Sequence, residues 1–152
     1  MREGWYDDFK VGDEIRSPGK TITESEIIDW ALKFDPQPFH MDKEAATKHM
    51  YGGLIASGWM IGSLSFRLFV MTNPFGEASL GSPGLDKLRW LKPVRPGDTI
   101  HVVVTVSETR VSRSKPDRGV MTMDWAVKNQ HGDTVMTMQS IQLLLRRPEA
   151  GH

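Results

Sequence analysis

The feature that most constrains the fold is a nearly continuous apolar run from Ile55 to Met71, IASGWMIGSLSFRLFVM. At about 17 residues, this run is at the lower limit for a helix that crosses a bilayer. It also contains three serines and an arginine, which favour a buried helix of a water-soluble protein. The rest of the chain must therefore supply apolar surface to cover this helix, and we expect no membrane association.

The last third of the chain supplies that surface in the form of strands. Along three segments, successive residues alternate between two faces of different character, which predicts long antiparallel strands that are half buried. In the first segment, one face consists of Ile100, Val102, Val104 and Val106. In the second, Met121, Met123, Trp125 and Val127 form one face, and Val120, Thr122, Asp124 and Ala126 form the other. In the third, one face consists of Met136, Met138, Ser140, Gln142 and Leu144, and the other of Val135, Thr137, Gln139, Ile141 and Leu143. A hairpin at residues 112–119 and a tight turn at residues 131–133 join them.

The first half of the chain predicts helices and only short strands. Thr23 and Glu26 form a capping box that starts a helix from about Glu24 to Lys33, and Asp42 can cap a second helix that ends near His49. A short strand ends near Ile15, and residues 84–91 predict another strand. Helices followed by strands indicate an α+β fold. One long apolar helix and four or five strands fit a curved antiparallel sheet wrapped around a central helix, in a single domain spanning residues 1–152.

Asp35 and His40 are the candidate acid–base residues. Residues five apart diverge on a helix and lie on opposite faces of a flat strand. They converge only if the backbone between them bends, and Pro36 and Pro38 stiffen such a bend. A carboxylate beside an imidazole suits proton transfer. The alternative is a proline-rich turn in which the aspartate caps a helix and the histidine has no special role.

Ser57 and Gly58 lie at the predicted start of the apolar helix. A helix start leaves backbone N–H groups without partners, and these carry partial positive charge. Glycine has no Cβ, so a substrate carbonyl could approach the Gly58 N–H closely, as in an oxyanion hole. The alternative is that both residues are small only because two elements pack closely there.

The segment from Asp35 to Gly58 resembles the motif of the MaoC-like dehydratases, also called (R)-specific enoyl-CoA hydratases. The shared order is D-x-x-P-x-H, a short helix, G-G-x-I-A-x-G and a long apolar helix. The chain departs from the usual motif at Gln37 (usually Asn), at Ser57 (often His) and near Phe66, where the family has a serine. The resemblance covers nearly the whole chain and implies a hot-dog fold, in which a curved antiparallel sheet wraps a central helix.

The resemblance also implies a function. Asp35 and His40 would be the catalytic pair, Gly58 with Ser57 would bind the thioester oxygen, and the chain would add water reversibly to a 2-enoyl-CoA. The substrate would be a thioester of coenzyme A or of a carrier protein, with no further cofactor, and the protein would form a homodimer. A hot-dog thioesterase and a non-catalytic acyl-thioester binding module are the alternatives.

A basic cluster lies on the predicted hairpin and consists of Arg110, Arg113, Lys115 and Arg118. Arginine and lysine bind phosphate oxygens, so this cluster is a candidate contact for the phosphates of coenzyme A. The alternative is a solvated hairpin tip.

Composition excludes several other functions. The 19 basic and 19 acidic residues balance, which argues against a nucleic-acid partner. No cysteine is present, and no histidine pair has metal-ligand spacing, so we expect no metal site. The N-terminal sequence lacks an apolar signal segment, and we expect a cytoplasmic protein.

Overall fold

The computed structural model describes residues 3–149 and consists of one antiparallel sheet and four helices within that range. The strands are β1 (Glu14–Arg16), β2 (Lys20–Thr21), β3 (Gly84–Trp90), β4 (Thr99–Val111), β5 (Arg118–Lys128) and β6 (Thr134–Leu145). The helices are α1 (Glu24–Phe34), α2 (Pro38–Met41), α3 (Lys43–Thr47) and α4 (Gly58–Met71), after a 3-10 turn at Tyr6–Asp8. None of these helices is long and apolar enough to cross a membrane.

The strand order is β1-β4-β5-β6-β3, and β2 also pairs with β4. The three long strands that the alternation predicts are confirmed as β4, β5 and β6. Strand β4 pairs with β5, and β5 pairs with β6, over nearly their whole lengths. The short strand β2 was not predicted. The sheet is open, so β3 forms one of its edges and its residues are mostly exposed.

The inner face of the sheet covers α4 on one side only. Met60, Ile61, Ser65, Leu68 and Phe69 of α4 are buried. The opposite face of α4 carries exposed apolar side chains, among them Trp59 and Phe66. The predicted central helix is therefore buried on the face that packs against the sheet and exposed on the opposite face in a single copy of the chain, because the sheet does not close around it.

Ser57 and Gly58 form the start of α4 as predicted, although the apolar run itself is longer than the helix. The apolar run begins at Ile55, but the helix begins at Gly58. The preceding residues are extended because the Ile55 N–H donates to the Phe39 carbonyl (3.2 Å) and the Ala56 N–H donates to the Val94 carbonyl (2.8 Å). Apolarity alone does not distinguish these buried extended residues from the helix that follows them.

Candidate active site

Asp35 lies where α1 ends. The helix starts with the predicted capping box, in which the Thr23 hydroxyl accepts from the Glu26 N–H. Asp35 closes the last turn by donating its N–H to the Ala31 carbonyl (2.9 Å). Pro36 follows and cannot continue the hydrogen-bond ladder of the helix. The carboxylate of Asp35 therefore projects from the end of a well-anchored helix.

His40 lies on the one-turn helix α2, where the sequence predicted an irregular bend. Pro38 occupies the first turn of α2, a position that suits its fixed φ, and Gln37 before it is extended (φ −86°, ψ 139°). The His40 side chain is buried, and its Nδ1 lies 2.7 Å from the Ile55 carbonyl oxygen. A carbonyl only accepts hydrogen bonds, so Nδ1 carries a proton and Nε2 is free for proton exchange.

The predicted convergence of Asp35 and His40 is present in the structure. His40 Nε2 lies 3.3 Å from Asp35 Oδ2. The same carboxylate oxygen accepts a hydrogen bond from the Ser57 hydroxyl (2.6 Å), and the Gln37 amide donates to Oδ1 (2.6 Å). The carboxylate is thus held on both of its oxygens by neutral donors.

These contacts determine the charge of Asp35. Burial raises the pKa of the carboxyl, but the hydrogen bonds from Ser57 and Gln37 and the nearby His40 outweigh burial and hold the pKa below its ordinary value of 3.8. Asp35 is therefore an ionised carboxylate at neutral pH. Ser57 is almost fully buried, and its hydroxyl contacts Asp35 and does not line the cavity described below.

Gly58 is the first residue of α4, and the reason for a glycine here is Trp90. A Cβ on Gly58 would lie 2.5 Å from Trp90 Cε2 and 2.7 Å from Trp90 Nε1, closer than any real contact. The indole N–H of Trp90 donates to the Gly58 carbonyl (2.8 Å). The Trp90 ring also packs edge-on against the Trp59 ring, with 5.3 Å between the ring centroids. The Gly58 N–H belongs to the first turn of α4, where N–H groups have no partner within the helix.

Asp35, His40 and Gly58 line one cavity of about 380 Å³, which we call the first cavity. Its lining also includes two pairs of contacting rings, Phe39 with Tyr51 and Trp59 with Trp90, and residues 91–94. The cavity thus combines a carboxylate, an imidazole and the start of a helix in a mainly apolar pocket, which is the arrangement typical of an enzyme site.

A second cavity of about 430 Å³ adjoins the first, and Trp59 and Trp90 belong to both. It runs between α4 and the strands β3, β5 and β6. Its lining is mainly apolar and includes Gly62, Phe66 and Phe69 of the helix.

The basic cluster of the hairpin lies elsewhere. Strand β5 gives the distance between the hairpin and the first cavity. At the cavity end, Val127 of β5 pairs with Met136, which also pairs with Trp90. At the hairpin end lies Gly119, eight residues from Val127 along the same strand. At about 3.4 Å per residue, the hairpin is roughly 27 Å from the first cavity in the same copy of the chain. Arg118 pairs with its neighbour Asp117. Arg110, Arg113, Lys115 and Arg118 are therefore not brought to the candidate site by the fold of one chain.

Among residues 3–149, no group of three histidine, aspartate or glutamate side chains lies close enough together to hold a metal ion. Three parts of the site were not predicted from the sequence: Trp90, Gln37 and the Ile55 carbonyl. Gln37 lies within the motif, and its amide next to a carboxylate was the available signal. Trp90 and Gly58 are 32 residues apart, and no local pattern relates them.

Comparison with known proteins finds a matching family and several relatives. A family model described as "MaoC like domain" matches residues 8–129. The uncharacterised protein YdeM of Bacillus subtilis is 28% identical over 124 residues, which are 82% of this chain and 86% of that protein. The (R)-specific enoyl-CoA hydratase of Rhodospirillum rubrum is 32% identical over 108 residues, 68% of this chain and 69% of the relative.

Solved structures agree with the fold. The crystal structure of a MaoC-like dehydratase from Rhodospirillum rubrum superposes with a TM-score of 0.87 at 36% identity and covers 95% of this chain and 99% of that one. A Mycobacterium tuberculosis protein with a double hot-dog fold superposes with a TM-score of 0.79 at 16% identity, covering 100% of this chain and 48% of that one. These similarities confirm the predicted hot-dog fold.

Proposed function

The chain belongs to the MaoC-like dehydratase family, and on this basis we propose that it adds water reversibly to a 2-enoyl thioester and gives a 3-hydroxyacyl thioester. The observation that carries the proposal is the 3.3 Å approach of His40 Nε2 to Asp35 Oδ2 in a cavity that Gly58 also lines. A carboxylate and an imidazole in direct contact can both hydrogen-bond to one water that lies beside them in the cavity, facing a thioester whose carbonyl oxygen lies at the start of α4.

The proton steps follow from the hydrogen bonds. The water is oriented by the Asp35 carboxylate, gives a proton to His40 Nε2 and forms a bond to C3 of the substrate through its oxygen. The electron pair of the double bond moves onto the thioester oxygen, and C2 then takes a proton from His40. In the reverse direction, the same groups remove water. Losing either acid–base partner should lower the rate by about 10²–10⁴.

The helix start supplies the charge stabilisation. The developing enolate oxygen would accept a hydrogen bond from the Gly58 N–H, and one such preorganised donor contributes about 2.7–4 kcal/mol in comparable sites. The Ile55 carbonyl keeps His40 in the tautomer that exposes Nε2. The acyl chain beyond C4 would pass Trp59 and Trp90 and enter the second cavity.

The test is hydration of crotonyl-CoA, followed by loss of absorbance of the enoyl thioester. We expect Asp35→Asn and His40→Gln to fold and to lower kcat/KM by at least about 10²-fold. The matched control is Asp29→Asn, which changes an exposed carboxylate on the same helix α1 and should keep the wild-type rate. Full activity of Asp35→Asn or His40→Gln would refute the assignment, and release of free coenzyme A from acyl-CoA would indicate a thioesterase instead.

We also propose a homodimer, on the basis of one continuous exposed apolar surface. The edge strand β3 carries exposed Leu85 and Trp90, and the neighbouring face of α4 carries exposed Trp59 and Phe66. Unpaired strand edges and large apolar patches are usually covered. Sedimentation should give a dimer that Leu85→Lys converts to monomer, whereas Val111→Lys, at the far hairpin, should leave it unchanged. A monomeric wild-type protein at micromolar concentration would contradict the proposal.

A further inference from the structure

We propose that the second cavity selects acyl groups that carry a hydroxyl far from the thioester, in preference to plain hydrocarbon chains of the same length. This inference rests on the proposed function, because it assumes that the acyl chain enters the second cavity. It concerns two residues of β6, Ser140 and Gln142, for which the reaction itself has no use.

The two residues stand out on the inner face of the sheet. The buried residues that β4 and β5 turn towards α4 are apolar, as are Met136, Met138 and Leu144 of β6. Ser140 (6% exposed) and Gln142 (9% exposed) are the buried polar residues that lie in strands within residues 3–149, and both line the second cavity.

Ser140 has an unused donor. Its hydroxyl oxygen accepts a hydrogen bond from the buried indole N–H of Trp125 (2.8 Å). In the described part of the chain, this hydroxyl donates no hydrogen bond. A hydroxyl has one donor and two acceptor positions, so this donor remains available to a group in the cavity.

Gln142 has an unused acceptor. Its amide nitrogen lies 3.1 Å from the Gly81 carbonyl and 3.1 Å from the Leu143 carbonyl, which fixes the orientation of the amide because carbonyls only accept. The same nitrogen donates to the Ser79 hydroxyl (3.0 Å). Among residues 3–149, the amide oxygen Oε1 has no hydrogen-bond donor.

These two free positions define the chemistry of the ligand. Ser140 offers a donor and Gln142 offers an acceptor. The two residues lie on one face of the strand, and their Cα atoms are about 7 Å apart. A hydroxyl can accept from the first and donate to the second. A saturated chain would displace water from both groups and leave them unpaired, which is unfavourable. No lysine, arginine or histidine lines the cavity, so a carboxylate would gain no counter-ion there.

The experiment compares trans-2-dodecenoyl-CoA with three derivatives that carry a hydroxyl at C8, C10 or C12, with crotonyl-CoA as the short reference. We expect one hydroxylated ester to exceed the plain ester in kcat/KM by at least about tenfold, because a site that hydrogen-bonds a hydroxyl discriminates against an analogue lacking it. The ratio of the two esters is measured in one enzyme preparation, so that partial misfolding affects both values equally.

Two variants and one control locate the effect. Ser140→Ala and Gln142→Met should each bring the ratio close to one. Gln139→Met is the matched control, since it makes the same change on the outer face of the same strand, and it should retain the wild-type ratio. Equal rates for the plain ester and all three hydroxylated esters, or a preference that survives in both variants, would overturn the inference.

A second readout separates this inference from the proposed function. If crotonyl-CoA is not hydrated, the proposed reaction fails. Binding then still tests whether the second cavity prefers a hydroxylated chain. The measurement is the ratio of the Kd of dodecanoyl-CoA to the Kd of each hydroxylated form, and none of these esters contains a double bond to hydrate. A tenfold tighter Kd for one hydroxylated ester, lost in Ser140→Ala, supports selective binding, and equal Kd values refute it.

Discussion

Gly58→Ala tests whether Trp90 sets the position of the helix start. The new Cβ would lie 2.5 Å from Trp90 Cε2, and ordinary contacts begin near 3.4 Å, so the indole must move by about 0.9 Å. Trp90 is 44% exposed in a single copy of the chain, so the indole can move away from α4 in the monomer. The displacement breaks the hydrogen bond to the Gly58 carbonyl and the edge-on contact with Trp59, each of which contributes about 0.5–1.5 kcal/mol.

The expected loss of stability is smaller than the loss of activity. Alanine improves helix propensity by about 1 kcal/mol, so the free energy of unfolding should fall by only about 0–2 kcal/mol in denaturant titrations. The Trp90 ring lines the first cavity, and a misplacement of about 1 Å in a group that positions the substrate can lower the rate about 10²-fold, which is the loss we expect in kcat/KM for crotonyl-CoA. The stability control is Gly62→Ala, one turn further along α4, where a Cβ meets open space and should stabilise the fold.

A double-mutant cycle gives the refuting result. If the clash with Trp90 is the cause, Gly58→Ala should have little additional effect on stability or kcat/KM in a Trp90→Ala background. An equal effect of Gly58→Ala in both backgrounds would show that the methyl group acts on something other than Trp90. Unchanged activity of the single variant would show that the position of the Trp90 ring has no part in the proposed mechanism, whereas the backbone N–H is present in both alanine and glycine.

Three further predictions follow from the same contacts. Ser57→Ala removes a donor that lowers the pKa of Asp35, so the loss of activity on acidification should move to higher pH in the kcat/KM profile; an unmoved acid limb would contradict this role. The pKa of Asp35 is lower in the folded than in the unfolded protein, so the ionised carboxylate stabilises the fold. This stabilisation is fully present above pH 3.8 and is lost as the pH falls through the lowered pKa. The difference in unfolding free energy between wild type and Asp35→Asn should therefore shrink towards acid pH. Lys87 has φ 56° at the irregularity of β3, so Lys87→Gly should raise the free energy of unfolding by about 0.5–1 kcal/mol, whereas Arg89→Gly on the same strand should lower it.

The elements that the sequence predicted correctly depend on local patterns. The capping box at Thr23 and Glu26 fixed the start of α1 within one residue, and Asp42 caps α3 by accepting from the Ala45 N–H as expected. The alternation of side chains defined the three long strands. In each case, neighbours within four residues carry the information, so a single sequence suffices.

The site was predictable only in part, because half of its contacts are distant in the chain. The proximity of Asp35 and His40 followed from the two prolines between them. The partner of His40 is the Ile55 carbonyl, 15 residues away, and the neighbour of Gly58 is Trp90, 32 residues away. Such contacts depend on how the sheet seats the helix, which no local pattern records.

The inner face of β6 shows a third kind of limit. The alternation separates Ser140 and Gln142 from Gln139 and Ile141, but both faces mix polar and apolar residues. The sequence therefore does not decide which face is buried. Pairing with β5 turns Met136, Met138 and Leu144 inwards, and the two polar residues are buried with them.

The short extended segment before α4 connects all parts of the proposed mechanism. Its Ile55 carbonyl fixes the tautomer of His40, its Ser57 hydroxyl holds the Asp35 carboxylate, and it ends at the N–H of Gly58. A shift of this segment would therefore move the proton acceptor, the carboxylate and the oxyanion donor together. The segment is itself fixed by the hydrogen bonds of Ile55 to Phe39 and of Ala56 to Val94. Had the apolar run been helical from Ile55, its carbonyl would have bonded within the helix and His40 Nδ1 would have lost its acceptor.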